Sequence, residues 1–403
     1  MNNIQRQKYI VTIIAILFLF CGIFSLRACS VFIPLFIWAG YKSDKFGIRQ
    51  PVAKRWIIGV FVIFVLIGIN ILLSYYQSNS VSLGLSIALL LLFDIFVFDN
   101  ISRQYIIWIY RFICLLSTCV IIISLTAYTL FHCEIIQLKL MPLCDMKFLY
   151  KPFGCPINEW GTLILVLIPF NLYSYFIEKS KLNYLMLINI ALLSSCIALS
   201  YCRSLYGSLF LLYLSVLIYV VIGKITYRQS WAKLIFLALA GFLAPILIPN
   251  NAVITTLKAN ETVSQQRSID ARIDRLDNVI NYADEHRLYG YGLGNYLLST
   301  QSNKSEYETL VSPAAPNTFI QIYIETGYIG FGIFTILLLG LLSYLFYHIK
   351  AGENIPALLC SGTILAFLFR DMAYATLLHV HYVLILSNLL IVLLLIDINR
   401  TVR

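Results

Sequence analysis

Long, nearly unbroken apolar runs recur along this chain, from residues 9–26 near one end to 377–396 near the other. No other feature constrains the fold as tightly. A bilayer-crossing helix needs about 20 such residues. Inside lipid only helices and closed barrels satisfy every backbone polar group. A barrel would show short strands of alternating polarity, which these runs are not. The fold class read from this is an all-α polytopic membrane protein. Composition agrees: 60% of the 403 residues are hydrophobic and 12% are charged. Soluble domains carry about 25% charged residues, so a soluble enzyme, a disordered chain and a secreted disulfide scaffold are all excluded.

The runs predict about twelve transmembrane helices: 9–26, 28–41, 56–76, 82–98, 105–131, 162–177, 184–200, 205–222, 234–248, 318–347, 356–369 and 377–396. The first is read as a retained span, because the Arg27 that follows it disfavours signal cleavage. The tenth is overlong, so part of it is expected outside the hydrocarbon. Cations set the orientation, because cytoplasmic loops collect Lys and Arg. With the N-terminus inside, Arg6, Lys8, Lys42, Lys45, Arg49, Lys54, Arg55 and several later cations fall in inside segments, against few in the short outside loops. Both termini are then cytoplasmic. The formal net charge of +10 is thus read as topology and not as nucleic-acid binding. Three regions follow: residues 1–248 with nine helices and an outside loop near 132–161, a long outside loop at 249–317, and residues 318–403 with three helices. A loop that long is functional or has structure of its own.

Other polar features have simpler readings. Asp94 and Arg111 flank one cytoplasmic turn and are expected to form a structural ion pair. Cys133, Cys144 and Cys155 share the first outside loop and allow one disulfide of open pairing. No spacing suggests a metal, and no cofactor is expected.

In the long loop, Ile269, Ile273, Leu276, Ile280 and Ala283 mark one face of an amphipathic helix. Arg272 falls about 60° from the centre of that stripe and Arg275 about 120° away. Arg272 therefore borders the buried face, where a cation meets a lipid phosphate. Arg275 is kept as a substrate contact. Next comes Gly290-Tyr291-Gly292-Leu293-Gly294-Asn295, whose alternating glycines end the helix and let backbone approach a ligand closely. Its spacing is wrong for a nucleotide loop. Asn317 and Glu325 lie about two turns apart at the mouth of the tenth span, and Gly327 and Gly330 favour close helix approach. Arg203 and Arg370 mark outside ends of two further spans. Guanidinium groups gathered at one depth suit phosphate, which they bind with a fixed fork of donors.

In this order, Cys202-Arg203-Ser204, the Arg-bearing loop helix, the Gly290–Asn295 motif, Asn317 ahead of Gly327 and Gly330, and Arg370-Asp371 resemble the O-antigen ligase/polymerase superfamily of bacterial membrane glycosyltransferases. The resemblance implies a donor and an acceptor glycan carried on undecaprenyl diphosphate, work at the periplasmic face of the inner membrane, lipopolysaccharide biosynthesis, and a chain-length regulator among the partners. It implies that Arg203 and Arg272 hold the diphosphate. Asp371 and Glu325 are the leading acid–base candidates, ahead of His286. Arg370, Arg275, Gly290, Gly292, Gly294, Asn295, Asn317 and Tyr291 are the remaining substrate contacts. In the ligase branch a His precedes the late Asn; here that residue is Pro316, which favours the polymerase branch. The alternatives are a ligase acting on lipid A-core and a lipid-linked oligosaccharide transporter.

Overall fold

A computed structural model describes residues 13, 51–74, 76–100, 103–132, 157–177, 182–200, 202–222, 228–247, 286–296, 317–351, 354–373 and 381–401. Among them lie ten α-helices: α1 (Pro51–Leu73), α2 (Gln77–Asn100), α3 (Arg103–His132), α4 (Ile157–Ile177), α5 (Leu182–Ala198), α6 (Arg203–Ile222), α7 (Arg228–Leu243, followed by a 3-10 turn at Ala244–Leu247), α8 (Thr318–Ala351), α9 (Ile355–Ala373) and α10 (His381–Thr401). Each coincides with one of the last ten expected spans, and no strand occurs among the described residues. Six helices are long and apolar enough to cross a membrane, and four more contain shorter apolar helices. The protein is therefore an all-helical polytopic membrane protein. Apart from residue 13, the first two expected spans, the three loop cysteines and the amphipathic helix up to residue 285 lie outside the described residues.

Boundaries shift where capping outweighs hydropathy. The turn between α1 and α2 comes at Ser74 and Tyr76, ahead of the polar Gln77-Ser78-Asn79-Ser80 run, which is already helical. The carboxamides of Asn354 and Asn317 cap α9 and α8, accepting from Ala357 N–H at 3.1 Å and Ile320 N–H at 2.9 Å; such acceptors satisfy N–H groups that the helix itself leaves unpaired. The helix α7 stops where Pro245 cannot donate to the ladder.

The chain divides into two compact units. One comprises Met1–Ile106, Arg272–Ser343 and Asp371–Ile396. Here α1 packs on α2, and the buried Asp94 carboxylate accepts from Asn388 Nδ2 at 2.6 Å. Arg111, which the sequence reading paired with Asp94, belongs to the other unit. Beyond its first turns, the part of α8 in this unit is scarcely buried, with Ile336, Leu337 and Leu339 exposed, as a helix facing lipid would have it.

The other unit comprises Ile107–Ala271, Tyr344–Arg370 and Asp397–Arg403. Its most deeply buried stretch is in α4, where every residue from Trp160 to Ser174 is buried. Helix α5 packs against both α4 and α7. A side chain at Gly241 would run into the Ala191 backbone, and Ser195 Oγ donates to Gly241 O at 2.6 Å. A polar network joins α3, α4 and α5: Asn189 Nδ2 donates to Asn171 Oδ1 (3.1 Å) and Cys114 O (3.0 Å), Thr118 Oγ1 donates to Asn189 Oδ1 (3.2 Å), and Asn171 Nδ2 donates to Ser117 Oγ (2.8 Å). Tyr173 OH donates to Asp397 Oδ2 at 2.8 Å. These groups satisfy one another, as polar residues do when they fasten helices inside lipid.

Candidate functional site

The glycine motif and the start of α8 form one interlocked piece of backbone. Helix α8 breaks at Gly327, whose φ of 64° and ψ of −169° are not helical. In an unbroken helix the N–H groups of residues 328 and 329 would bond to the carbonyls of 324 and 325. Here Ile324 O and Glu325 O instead accept from Tyr291 N–H and Gly292 N–H, both at 2.9 Å. The freed N–H groups of Tyr328 and Ile329 donate to Arg287 O (2.8 Å) and Leu288 O (3.3 Å). The loop thus replaces one turn of the helix ladder, so the break leaves none of these four groups orphaned.

Glycine is required at both faces of this joint. Gly290 and Gly327 have positive φ (69° and 64°). A Cβ on Gly290 would stand 2.5 Å from Ile324 O, and one on Gly327 would collide with Leu288. Gly292 and Gly294 also have positive φ (97° and 76°). The motif was expected to bring backbone to a ligand. In the structure the partner of Gly290 and Gly292 is protein: the α8 break for one, and Ser74 with Ser80 for the other.

Asn70 ties this joint to α1. Its Nδ2 donates to Glu325 O (3.1 Å) and Tyr289 O (3.3 Å), and its Oδ1 accepts from Leu293 N–H (2.8 Å). Below it, Asn295 Nδ2 donates to Ser74 Oγ (2.8 Å) and Tyr291 O (2.9 Å), Ser74 Oγ and Ser80 Oγ share a 2.6 Å bond, and Ser80 Oγ donates to Leu293 O (2.8 Å). The sequence reading missed Asn70, Ser74 and Ser80. The available signal was Asn70 itself, a carboxamide inside an apolar run, where a polar group needs a partner.

On the helical side of the break, Glu325 is 1% exposed. Gln321 Nε2 donates to its Oε1 at 3.0 Å; the backbone N–H groups of Gly294 and Tyr296 lie near the carboxyl, but neither completes a hydrogen bond to Oε2. Tyr291 and Tyr296 pack with Ile324 in a small apolar cluster. His286 is exposed, its ring edge-on to Tyr291 at 4.7 Å between centroids. Asn317, expected to share a side with Glu325, spends its side chain capping α8.

The second unit holds a separate polar cluster at the ends of three helices. Arg370, in the last turn of α9, is 1% exposed. Its Nη1 donates to Ser204 Oγ (3.0 Å), its Nη2 to Asn158 O (3.2 Å) and its Nε to Thr162 Oγ1 (3.3 Å). Arg203 opens α6 directly before Ser204 and is partly exposed. The starts of α4 and α6 and the end of α9 therefore meet, as the alternating order of spans requires. Two of the three arginines singled out from the sequence, Arg203 and Arg370, sit on helix ends that meet. The third, Arg272, and Arg275 lie outside the described residues. Asp371 follows Arg370 and is buried. Among the described residues no group of three or more His, Cys, Asp or Glu is placed to hold a metal.

Residues 188–335 match the family model described as O-antigen ligase. That stretch includes Arg203, the glycine motif and the broken start of α8, and it bears out the resemblance to the O-antigen ligase/polymerase superfamily. No curated protein matches the chain.

Proposed function

With the O-antigen ligase/polymerase superfamily as premise, we propose that this protein is a metal-independent membrane glycosyltransferase of the polymerase type. It joins undecaprenyl-diphosphate-linked oligosaccharide repeat units at the periplasmic face of the inner membrane. A hydroxyl of the incoming lipid-linked unit attacks the anomeric carbon of the growing glycan, and the lipid diphosphate departs. Arg203 and Arg272 receive the negative charge that develops on the leaving group, because fixed donors aimed at developing charge lower a barrier most. Arg370 holds Ser204 and hence the start of α6 in place. Glu325 or Asp371 takes the proton of the attacking hydroxyl.

The observation that carries polymerase over ligase is Pro316. A proline side chain exchanges no proton, so the His role of the ligase branch has no bearer at that position. The transporter reading draws on the buried polar network of Asn171 and Asn189, but that network is internally satisfied, as a helix fastening is. Incubating the purified protein with lipid-linked repeat units tests all three readings. A ladder of polymer supports the proposal, whereas single transfer to lipid A-core, or no new glycosidic bond, refutes it.

A further inference from the structure

Three oxygens on the opening turns of α8 are shut from solvent and have no hydrogen-bond partner: Thr318 Oγ1, Gln321 Oε1 and Glu325 Oε2. Their residues are 7%, 1% and 1% exposed. Native proteins leave few buried polar atoms unsatisfied, and each such atom calls for an explanation. Residues at i, i+3 and i+7 share a helix face, so the three oxygens form one stripe, about 10 Å long at 1.5 Å of rise per residue.

The chemistry of the stripe selects its ligand. One of the two Gln321 Nε2 hydrogens is spent on Glu325 Oε1, and the atoms of Gln321 and Glu325 left without a partner are both acceptor oxygens. A carboxylate repels a diphosphate, which the guanidinium groups suit instead. A hard cation takes about six to eight oxygens, more than the stripe provides. Hydroxyl donors remain, spread over the length of a short sugar chain and not of a single group.

We propose that Thr318, Gln321 and Glu325 line the binding face for the acceptor glycan. The inference rests on the transferase reading above and deepens it. Thr318 and Gln321 receive hydroxyls of the terminal sugars and orient them. Gln321 also pins Glu325 Oε1, leaving Oε2 for the attacking hydroxyl. As the hydroxyl oxygen bonds to the donor's anomeric carbon, the bond from that carbon to the diphosphate oxygen breaks. Its electron pair leaves with the diphosphate, and the hydroxyl proton passes to Glu325 Oε2.

The test uses the full-length protein in nanodiscs, with the undecaprenyl-diphosphate-linked repeat unit as donor. An octyl glycoside of the repeat unit, which has no leaving group, serves as an acceptor of variable concentration. Thr318→Val and Gln321→Leu are expected to raise the KM for the octyl glycoside about three- to tenfold each, the worth of one hydrogen bond, while the donor KM, read from hydrolytic release of undecaprenyl diphosphate, stays within twofold, roughly the scatter of a distant substitution. Thr318→Ser keeps the hydroxyl and should keep the acceptor KM, and Gln321→Asn replaces Gln321→Leu if the latter misfolds. Unchanged acceptor KM in both variants overturns the inference, as does a Thr318→Ser protein that behaves like Thr318→Val. If the wild-type protein forms no glycosidic bond, the transferase reading falls and takes this inference with it. The wild-type reaction alone identifies that case.

Discussion

Asn70 Nδ2 donates to the main-chain oxygen of Glu325 at 3.1 Å, across 255 residues of sequence. The carbonyl it reaches is one of the two that the break at Gly327 frees from the helix ladder, and Gly292 N–H already donates to it. One carboxamide on α1 therefore helps hold a discontinuous helix beside a carboxyl that is a candidate for proton transfer. Broken helices of this kind occur in membranes where protein groups or a water-filled cavity satisfy the exposed backbone.

Replacing Asn70 by Leu removes its bonds to Tyr289, Glu325 and Leu293. At about 0.6 kcal/mol per polar contact in a membrane setting, the loss comes to about 2 kcal/mol. A lower melting temperature of the detergent-solubilised protein, with normal insertion, is expected. An unchanged melting curve would show that the joint does not depend on this side chain.

The glycines of the motif should differ in their tolerance of alanine. Left-handed backbone costs any residue with a Cβ about 1–2 kcal/mol. At Gly294 that is nearly the whole cost, since the nearest atom to an added Cβ is Asn79 O at 3.3 Å. At Gly290 and Gly327 a collision with backbone is added. Gly294→Ala should therefore retain more folded protein than Gly290→Ala or Gly327→Ala, as read by the monodisperse fraction on size exclusion. Equal losses would contradict the packing described for the joint.

Charge removal at the arginines should separate holding substrate from holding structure. Arg203 is partly exposed and Arg370 is buried with three acceptors. Arg203→Ala is expected to cut polymer formation at least ~100-fold, the scale of losing a donor to developing charge, with little change in melting temperature. Arg370→Lys should lower both, because an ammonium cannot reproduce the fork. On the loop helix, Arg272→Ala should cost far more activity than Arg275→Ala. Full-length polymer in an Arg203→Ala, Arg272→Ala double variant would end the clamp proposal.

Asn189→Leu tests what the buried network is for. It removes bonds to Thr118, Cys114 and Asn171, at a cost of about 1–2 kcal/mol. A helix fastening predicts a lower melting temperature with polymer yield per folded molecule nearly unchanged. A site on a transport path predicts lost function at an unchanged melting temperature.

Hydropathy and charge already specify the helices and their order, because the cost of exposing backbone or charge to lipid acts on each segment by itself. Every one of the ten described helices was legible in this way, but the break in the overlong tenth span was not. The motif glycines stood out because only glycine tolerates their backbone. What they touch was not legible. That Gly290 abuts the helix broken at Gly327, and that Asn70 reaches both sides of the joint, depend on contacts between residues far apart in the chain. Such contacts are set by how helices pack, and a hydrogen bond spanning 255 residues leaves no periodicity to read. The sequence determines which segments must be buried in lipid; the tertiary structure alone decides which polar groups meet there, since each must find a partner that no neighbour in sequence provides.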